Sequence, residues 1–123
     1  MILADSSIWI DHFRVGDALL IALLEREEIV AHPFVIGEIA LGSFHKRVAV
    51  LQSLRELPQA TVAEDTEVLV LIEKAQLFNL GIGYVDAHLL ASARLSDDVR
   101  LWTRDKRLAA AASKLGLAAA LPE

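Results

Sequence analysis

Short apolar runs alternate with longer amphipathic stretches along the chain. Helical spacing of apolar residues predicts helices over about 6–13, 18–24, 33–42, 47–56, 65–79, 84–96 and 105–115. Five runs between them predict strands, of which the third is weak: Ile2–Ala4, Glu28–Ala31, Thr61–Ala63, Val99–Thr103 and Leu117–Leu121. Because strands alternate with helices, we expect an α/β fold with a mostly parallel sheet covered on both faces.

Residue types that cap helices set two of the expected helix starts. Ser6 and Ser7 are good N-caps for the first helix, and Asp65 or Thr66 for the helix over 65–79. The Val68–Ile72 segment of that later helix would also suit a buried strand, because it is rich in Val and Ile. The Glu-, Lys- and Gln-containing residues after it favour the helix.

Composition narrows the class of protein. A chain of 123 residues suits one domain, so we expect a single domain over 1–123. It has no cysteine, which excludes disulfides, a thiolate zinc site and a cysteine nucleophile. No apolar run, Val68–Ile72 included, is long enough to cross a membrane, and no signal peptide is evident. We therefore expect a cytoplasmic protein without membrane contact.

Four carboxylates are expected at one edge of the sheet, where open parallel sheets bind ligands. Asp5 follows the first strand, and Asp105 follows the Val99–Thr103 strand by two residues. Asp86 lies in the first turn of the helix before that strand, and Glu38 interrupts an otherwise apolar helix. Four carboxylates in one pocket would repel one another without a cation. Oxygen ligands suit Mg²⁺ or Mn²⁺, which would activate water against a phosphodiester with one or two ions.

Each carboxylate also has an ordinary structural explanation. Asp86 and Asp105 fall where helices begin, and acidic residues are common there because free N–H groups and the helix dipole favour them. Glu38 would be unremarkable on a solvent-facing stripe of its helix. Spacing alone leaves both interpretations open.

Four short motifs in order carry a resemblance to a known family. They are Asp5-Ser6-Ser7, Gly37-Glu38, Val85-Asp86-Ala87 and Thr103-Arg104-Asp105. In order, spacing and overall length the chain resembles the PIN-domain ribonucleases, most closely the toxins of VapC-type toxin–antitoxin pairs. The resemblance covers nearly the whole chain.

The resemblance implies a fold, an activity and partners. The fold would be a three-layer α/β/α sandwich around a parallel sheet of about five strands in the order 3-2-1-4-5. The activity would be Mg²⁺- or Mn²⁺-dependent endoribonuclease cleavage, with RNA as substrate, a homodimer as the assembly and a small antitoxin protein as inhibitor. Carried over by motif, the catalytic and metal-binding carboxylates would be Asp5, Glu38, Asp86 and Asp105. Supporting roles for Ser6 and Thr103 are a looser implication.

The net charge argues against nucleic-acid binding, whereas two local clusters of basic residues are compatible with it. Twelve Lys and Arg against 17 Asp and Glu give a net charge of −5, whereas proteins that hold nucleic acid by bulk attraction are usually basic. Two local basic clusters could still contact phosphates at the pocket rim, or could be ordinary solvated faces. They are Arg100, Arg104, Lys106, Arg107 and Lys114, and His45, Lys46, Arg47 and Arg55.

Aromatic and histidine residues have mainly structural explanations. Trp9, Phe13 and Phe34, with Ile8 and Phe44, would form core, or an exposed patch for a dimer or an antitoxin helix. The four histidines show no paired metal-ligand spacing, so we expect structural or surface roles: His12, His32, His45 and His88.

Two other classes of function compete with the nuclease. A signalling receiver domain also uses an acidic pocket in an α/β fold, but it needs a phosphoacceptor Asp after a strong middle strand. Here the weak Thr61–Ala63 run leads into Glu64 and Asp65 instead. A non-catalytic module that binds a partner and keeps the pocket for structure is the other alternative.

Overall fold

The computed structural model describes residues 1–122 and has the expected α/β architecture. Within that range the chain forms three strands and seven α-helices. The strands are β1 (Ile2–Ala4), β2 (Ile29–Val30) and β3 (Arg100–Trp102). The helices are α1 (Ser6–Val15), α2 (Ala18–Glu25), α3 (Pro33–Ala40), α4 (Arg47–Glu56), α5 (Asp65–Lys74), α6 (Tyr84–Leu95) and α7 (Lys106–Lys114).

The three strands form one parallel sheet in the order β2-β1-β3. In the central strand, Ile2 lies opposite Ile29 on one side and Arg100 on the other, and Ala4 lies opposite Trp102. Parallel strands end at the same edge, so the residues that follow β1 and β3 emerge side by side. This register places the candidate site at the carboxyl edge of the sheet.

The prediction of five strands in the order 3-2-1-4-5 is wrong in number. In place of the first and last strands of that order, the residues described show one parallel bridge each: Gln59 beside Ala31, and Ala118 beside Leu101. Pro58 has no N–H to extend a ladder, and Thr61–Ala63 pairs with no strand. Of the five predicted strands, only the first, second and fourth are in the sheet, as β1, β2 and β3.

The predicted N-cap residues of two helices are also wrong, although both helices begin where they were expected. Asp5, not Ser6 or Ser7, caps α1, and its carboxylate accepts a hydrogen bond from the Ser7 N–H at 3.0 Å. Glu64, not Asp65 or Thr66, caps α5 in a reciprocal pair with the side chain of Glu67. In both helices, an acidic residue one or two positions earlier satisfies the free N–H groups.

Helix α5 ends at Lys74, before the predicted end at Asn79, and the chain then turns through Gln76 in the left-handed region (φ +55). The Val68–Ile72 run is helical as expected, with Val68 and Leu71 facing the core. Every helix in residues 1–122 is too short or too polar to cross a membrane.

The core lies around the central strand, where Leu3 and Ala4 are wholly buried. The aromatic residues of the first half divide between core and surface. Trp9 is buried, Phe13 stacks on Phe44 with ring centroids 4.6 Å apart, and Phe34 is 37% exposed. A docking patch that includes Trp9 is therefore wrong, because the Trp9 side chain belongs to the core.

Candidate active site

Asp5 is the most buried of the four predicted site residues, at 6% exposure. It follows β1 and caps α1, so its carboxylate is fixed by the elements on both sides. One oxygen accepts hydrogen bonds from the N–H and hydroxyl of Ser7, and the other accepts from the hydroxyl of Thr103. These donors stabilise the ionised carboxylate at the edge of the sheet.

Asp105 is brought to the same place by the turn between β3 and α7. The Thr103 hydroxyl accepts a hydrogen bond from the Asp105 N–H at 3.0 Å while it donates to Asp5. One oxygen of Asp105 caps α7 by accepting from the N–H groups of Arg107 and Leu108, at 2.9 and 3.2 Å. Asp105 therefore has the ordinary capping role considered from the sequence, and it also faces the pocket.

Asp86 lies in the first turn of α6, where its Oδ2 accepts a hydrogen bond from the Gly83 N–H at 3.1 Å. Burial raises the pKa of Asp86, the Gly83 hydrogen bond partly opposes this, and repulsion from Asp105 and Asp5 raises the pKa further. The three aspartates, from three different parts of the chain, thus lie close enough to act on one another's charge.

Glu38 completes the group from α3. Burial is the largest cause that raises the pKa of its carboxyl, followed by repulsion from Asp86, and Asp5 adds a smaller repulsion. The hydroxyl of Ser6 lies close enough to lower the pKa in part. Glu38 is solvent-exposed, as a residue on a polar stripe would be, but it lies close enough to Asp86 and Asp5 for their charges to act on it.

The chemistry of this group fits a divalent cation. Glu38 and Asp86 have raised pKa values, to which burial contributes most and neighbouring carboxylates of the group add. Within residues 1–122 none of the four carboxylates forms an ion pair with a basic side chain. As placed, no three Asp, Glu or His side chains in that range are close enough to hold a metal ion. A shared ion would need the side chains to turn toward it, because Asp86 and Asp105 face helix N–H groups.

Beside the site, Arg104 is engaged with acidic side chains. Its guanidinium donates to Asp11 at 2.9 Å and also to Asp17, and its N–H donates to the Ser7 hydroxyl at 3.1 Å. Asp17 in turn caps α2 through the Leu20 N–H. This clamp ties the turn that carries Asp105 to α1 and α2. No spacing in the sequence marks this clamp, because the acidic partners lie 87 and 93 positions away from Arg104.

Two buried histidines, His32 and His88, connect α3 to α6 with the Phe34 ring between them. We call these three side chains the histidine ladder. His32 caps α3, and its Nε2 lies 3.0 Å from the Ser92 hydroxyl. The Phe34 ring packs edge-on against His32 and His88, with centroids 5.1 and 4.7 Å away. Burial, aided by His88, lowers the pKa of His32 to about 4. The ladder packs the helix that carries Glu38 against the helix that carries Asp86.

The outer end of this ladder is Asp65. It accepts hydrogen bonds from the Tyr84 hydroxyl at 2.8 Å and from the Nε2 of buried His88 at 3.0 Å. Both donors lie on α6 and flank Asp86 in sequence. The prediction of structural or surface roles fits His32 and His88, although sequence alone did not show that the ladder joins the helices of the site.

Comparison with known proteins agrees with the motifs. The sequence pattern of the PIN domain matches residues 2–114. Ribonuclease VapC32 of Mycobacterium tuberculosis is 49% identical over 120 residues in both strain CDC 1551 / Oshkosh and strain ATCC 25618 / H37Rv. The alignment covers 98% of this chain and 97% of that protein. With its parallel sheet and the acidic group at the sheet edge, this chain belongs to the PIN domain family.

Proposed function

We propose that this chain, folded as one domain, is a metal-dependent endoribonuclease that acts as the toxin of a toxin–antitoxin pair. The observation that supports the proposal is that Asp5 and Asp105 share the Thr103 hydroxyl at the sheet edge. Repulsion from neighbouring carboxylates also contributes to the raised pKa values of Glu38 and Asp86, and a cation would relieve it. Family membership and the name of the relative, a VapC ribonuclease, support the activity. The receiver alternative loses its support, because Thr61–Ala63 forms no strand to carry a phosphoacceptor.

The four carboxylates would together hold Mg²⁺ or Mn²⁺. A bound ion supplies a Lewis acid that polarises the phosphate and lowers the pKa of water. Asp5, fixed by Ser7 and Thr103, anchors the negative charge of the pocket. A carboxylate oxygen of Glu38 or Asp86 would accept the proton of the attacking water.

Water attack on phosphorus forms a P–O bond and breaks the bond to the 3′-oxygen, which leaves with a proton. The products would carry a 5′-phosphate and a 3′-hydroxyl. The chain has no cysteine, so cysteine chemistry is excluded, and we propose that no covalent enzyme intermediate forms.

The proposed partners follow from the same site. The acidic pocket would attract an Arg side chain of a small antitoxin, since a guanidinium pairs bidentately with carboxylates. Such an Arg would exclude the ion and stop cleavage. We also propose a homodimer in the cytoplasm, as the resemblance to VapC toxins implies.

Cleavage of a single-stranded RNA by the purified chain tests the proposal. We expect cutting with Mg²⁺ or Mn²⁺, none in EDTA, and loss of at least 100-fold in rate for Asp86→Asn. Asp97→Asn removes an acidic side chain outside the site and serves as the matched control. Products with 2′,3′-cyclic phosphate ends would contradict the water mechanism, and cutting by Asp86→Asn at the control rate would contradict the site.

A further inference from the structure

A cationic groove of about 310 Å³ lies between α7 and the loop that precedes α6. Its six lining residues comprise three basic side chains, three apolar ones and no acid. They are Leu80, Lys106, Arg107, Ala110, Ala111 and Lys114. We call it the α7 groove. It begins beside the carboxylates, because Lys106 is the residue directly after Asp105.

Arg107 lies at the end of the α7 groove nearest the carboxylates. Its side chain covers Gly81, where a Cβ would lie 2.7 Å from its Nη1 and Cδ atoms. Gly81 has φ +77, and Gly83, two residues later, donates its N–H to Asp86. The Arg107 N–H itself donates to Asp105 at 2.9 Å. The Arg107 side chain therefore contacts the loop that binds Asp86, and the Arg107 backbone N–H binds Asp105.

The α7 groove then runs away from the carboxylates along one helix face. Arg107 and Lys114 are seven residues apart, which is about 10 Å along an α-helix. That length exceeds one nucleotide step of a stacked strand, roughly 3.4 Å. The exposed Leu80 and Ala110 offer an apolar surface between the two cations, suited to a base or a ribose.

The basic side chains of the α7 groove are available to an anion. Lys106, Arg107 and Lys114 are exposed, and none of the ion pairs found in residues 1–122 includes them. Lys114 donates to the Ala75 carbonyl at 3.3 Å, which fixes its position without neutralising its charge. By contrast, Arg104 on the other side of Asp105 is neutralised by two aspartates.

We propose that the α7 groove binds the phosphates of single-stranded RNA next to the cleavage site, with Arg107 on the phosphate nearest the carboxylates. This inference rests on the proposed ribonuclease function and names the path of the substrate. It explains how a chain of net charge −5 holds a polyanion, since the local charge of the groove is positive.

Binding of a fluorescent single-stranded RNA, measured by anisotropy in a Glu38→Gln background that prevents cleavage, tests the groove. We expect Arg107→Ala to raise Kd about tenfold, as loss of a charged hydrogen bond does. The slope of log Kd against log salt should fall by about 0.7. Arg94→Ala, which removes a cation from the face between α5 and α6, should leave both quantities unchanged.

A second pair of variants moves Arg107 without removing its charge. Gly81→Ala pushes the guanidinium aside, whereas Gly16→Ala places a Cβ at the same positive φ (+77) with nothing within 4 Å of it. We expect weaker RNA binding for Gly81→Ala than for Gly16→Ala.

Any one of three results would overturn the proposal that the α7 groove binds RNA. The Glu38→Gln background protein would bind no measurable RNA, or Arg107→Ala and Arg94→Ala would have equal Kd values, or Gly81→Ala and Gly16→Ala would have equal Kd values. Failure of the proposed function is separate. If the wild-type chain cuts no RNA but Arg107→Ala still loses binding, the ribonuclease proposal fails and the groove stands.

Discussion

The hydroxyl of Thr103 donates a hydrogen bond to the carboxylate of Asp5, although the two residues are 98 positions apart in the chain. The pairing of Ala4 with Trp102 in adjacent parallel strands places the next residues of both strands side by side. The same hydroxyl accepts the N–H of Asp105. Thr103, which is not a predicted metal ligand, thus aligns the two predicted ligands Asp5 and Asp105.

Thr103→Val, which keeps the shape but removes the hydroxyl, should weaken the site. It leaves an oxygen of buried Asp5 without this donor, so we expect a loss of about 1–2 kcal/mol in the free energy of unfolding. Metal affinity should fall by roughly tenfold or more, as for other residues that orient ligands. Thr103→Ser keeps the hydroxyl and is the control. Calorimetric titration with Mn²⁺ checks this, and equal affinities for the two variants would contradict it.

Glu38→Gln should stabilise the metal-free protein while it removes activity. Partial burial, followed by repulsion from Asp86 and Asp5, raises the pKa of Glu38, so the folded state disfavours the ionised form. Glu38 is exposed, so the gain should be only about 0.5 kcal/mol. Melting in EDTA and in Mn²⁺ checks the prediction. The prediction would be contradicted if Glu38→Gln melted below the wild type in EDTA. It would also be contradicted if Mn²⁺ raised the melting temperature of the variant as much as that of the wild type.

Acid should destabilise the fold through His32. Burial lowers its folded pKa from 6.5 to about 4, so only the unfolded chain binds the proton between those values. Stability from this group is therefore complete above pH 6.5 and falls as the pH drops toward 4, by on the order of 3 kcal/mol. Urea unfolding across this range measures it. We expect a shallower pH slope for His32→Gln, and an unchanged slope would exclude His32 as the cause.

Expression of the chain without an antitoxin should slow growth of the host cell. An active ribonuclease degrades essential RNA, whereas Asp86→Asn retains the fold and should be harmless at the same expression level. The matched Asp97→Asn variant should remain toxic. Growth curves with protein levels checked by blotting measure the effect. Harmless expression of the wild-type chain would favour the non-catalytic binding module instead.

The placement of the acidic residues could be predicted because it depends on local signals. Asp5 and Asp105 follow apolar strand runs, and parallel strands end at one edge whatever the details of packing. Glu38 stood out because a carboxylate interrupted an apolar helix. Their role as metal ligands stays a prediction, since no group of side chains within residues 1–122 is already placed to hold an ion.

Other features could not be predicted because they depend on contacts between distant parts of the chain. The bond of Asp65 to His88 and the clamp of Arg104 on Asp17 follow from how helices pack, and no spacing marks them. The outer strands were overestimated, because apolar runs such as Thr61–Ala63 indicate burial but not a ladder partner. The N-caps of α1 and α5 lie one or two residues before the predicted ones, since several adjacent side chains could cap.

The binding of Mn²⁺ to the wild-type chain and to its single-carboxylate variants tests the central claim most directly. Thermal shift with increasing Mn²⁺ would be measured for Asp5→Asn, Glu38→Gln, Asp86→Asn and Asp105→Asn, beside the Asp97→Asn control. The account predicts that Mn²⁺ stabilises the wild type and the control alike, and that each of the four variants loses most of this effect. Equal stabilisation of all six proteins by Mn²⁺ would contradict a single cation site formed by these carboxylates.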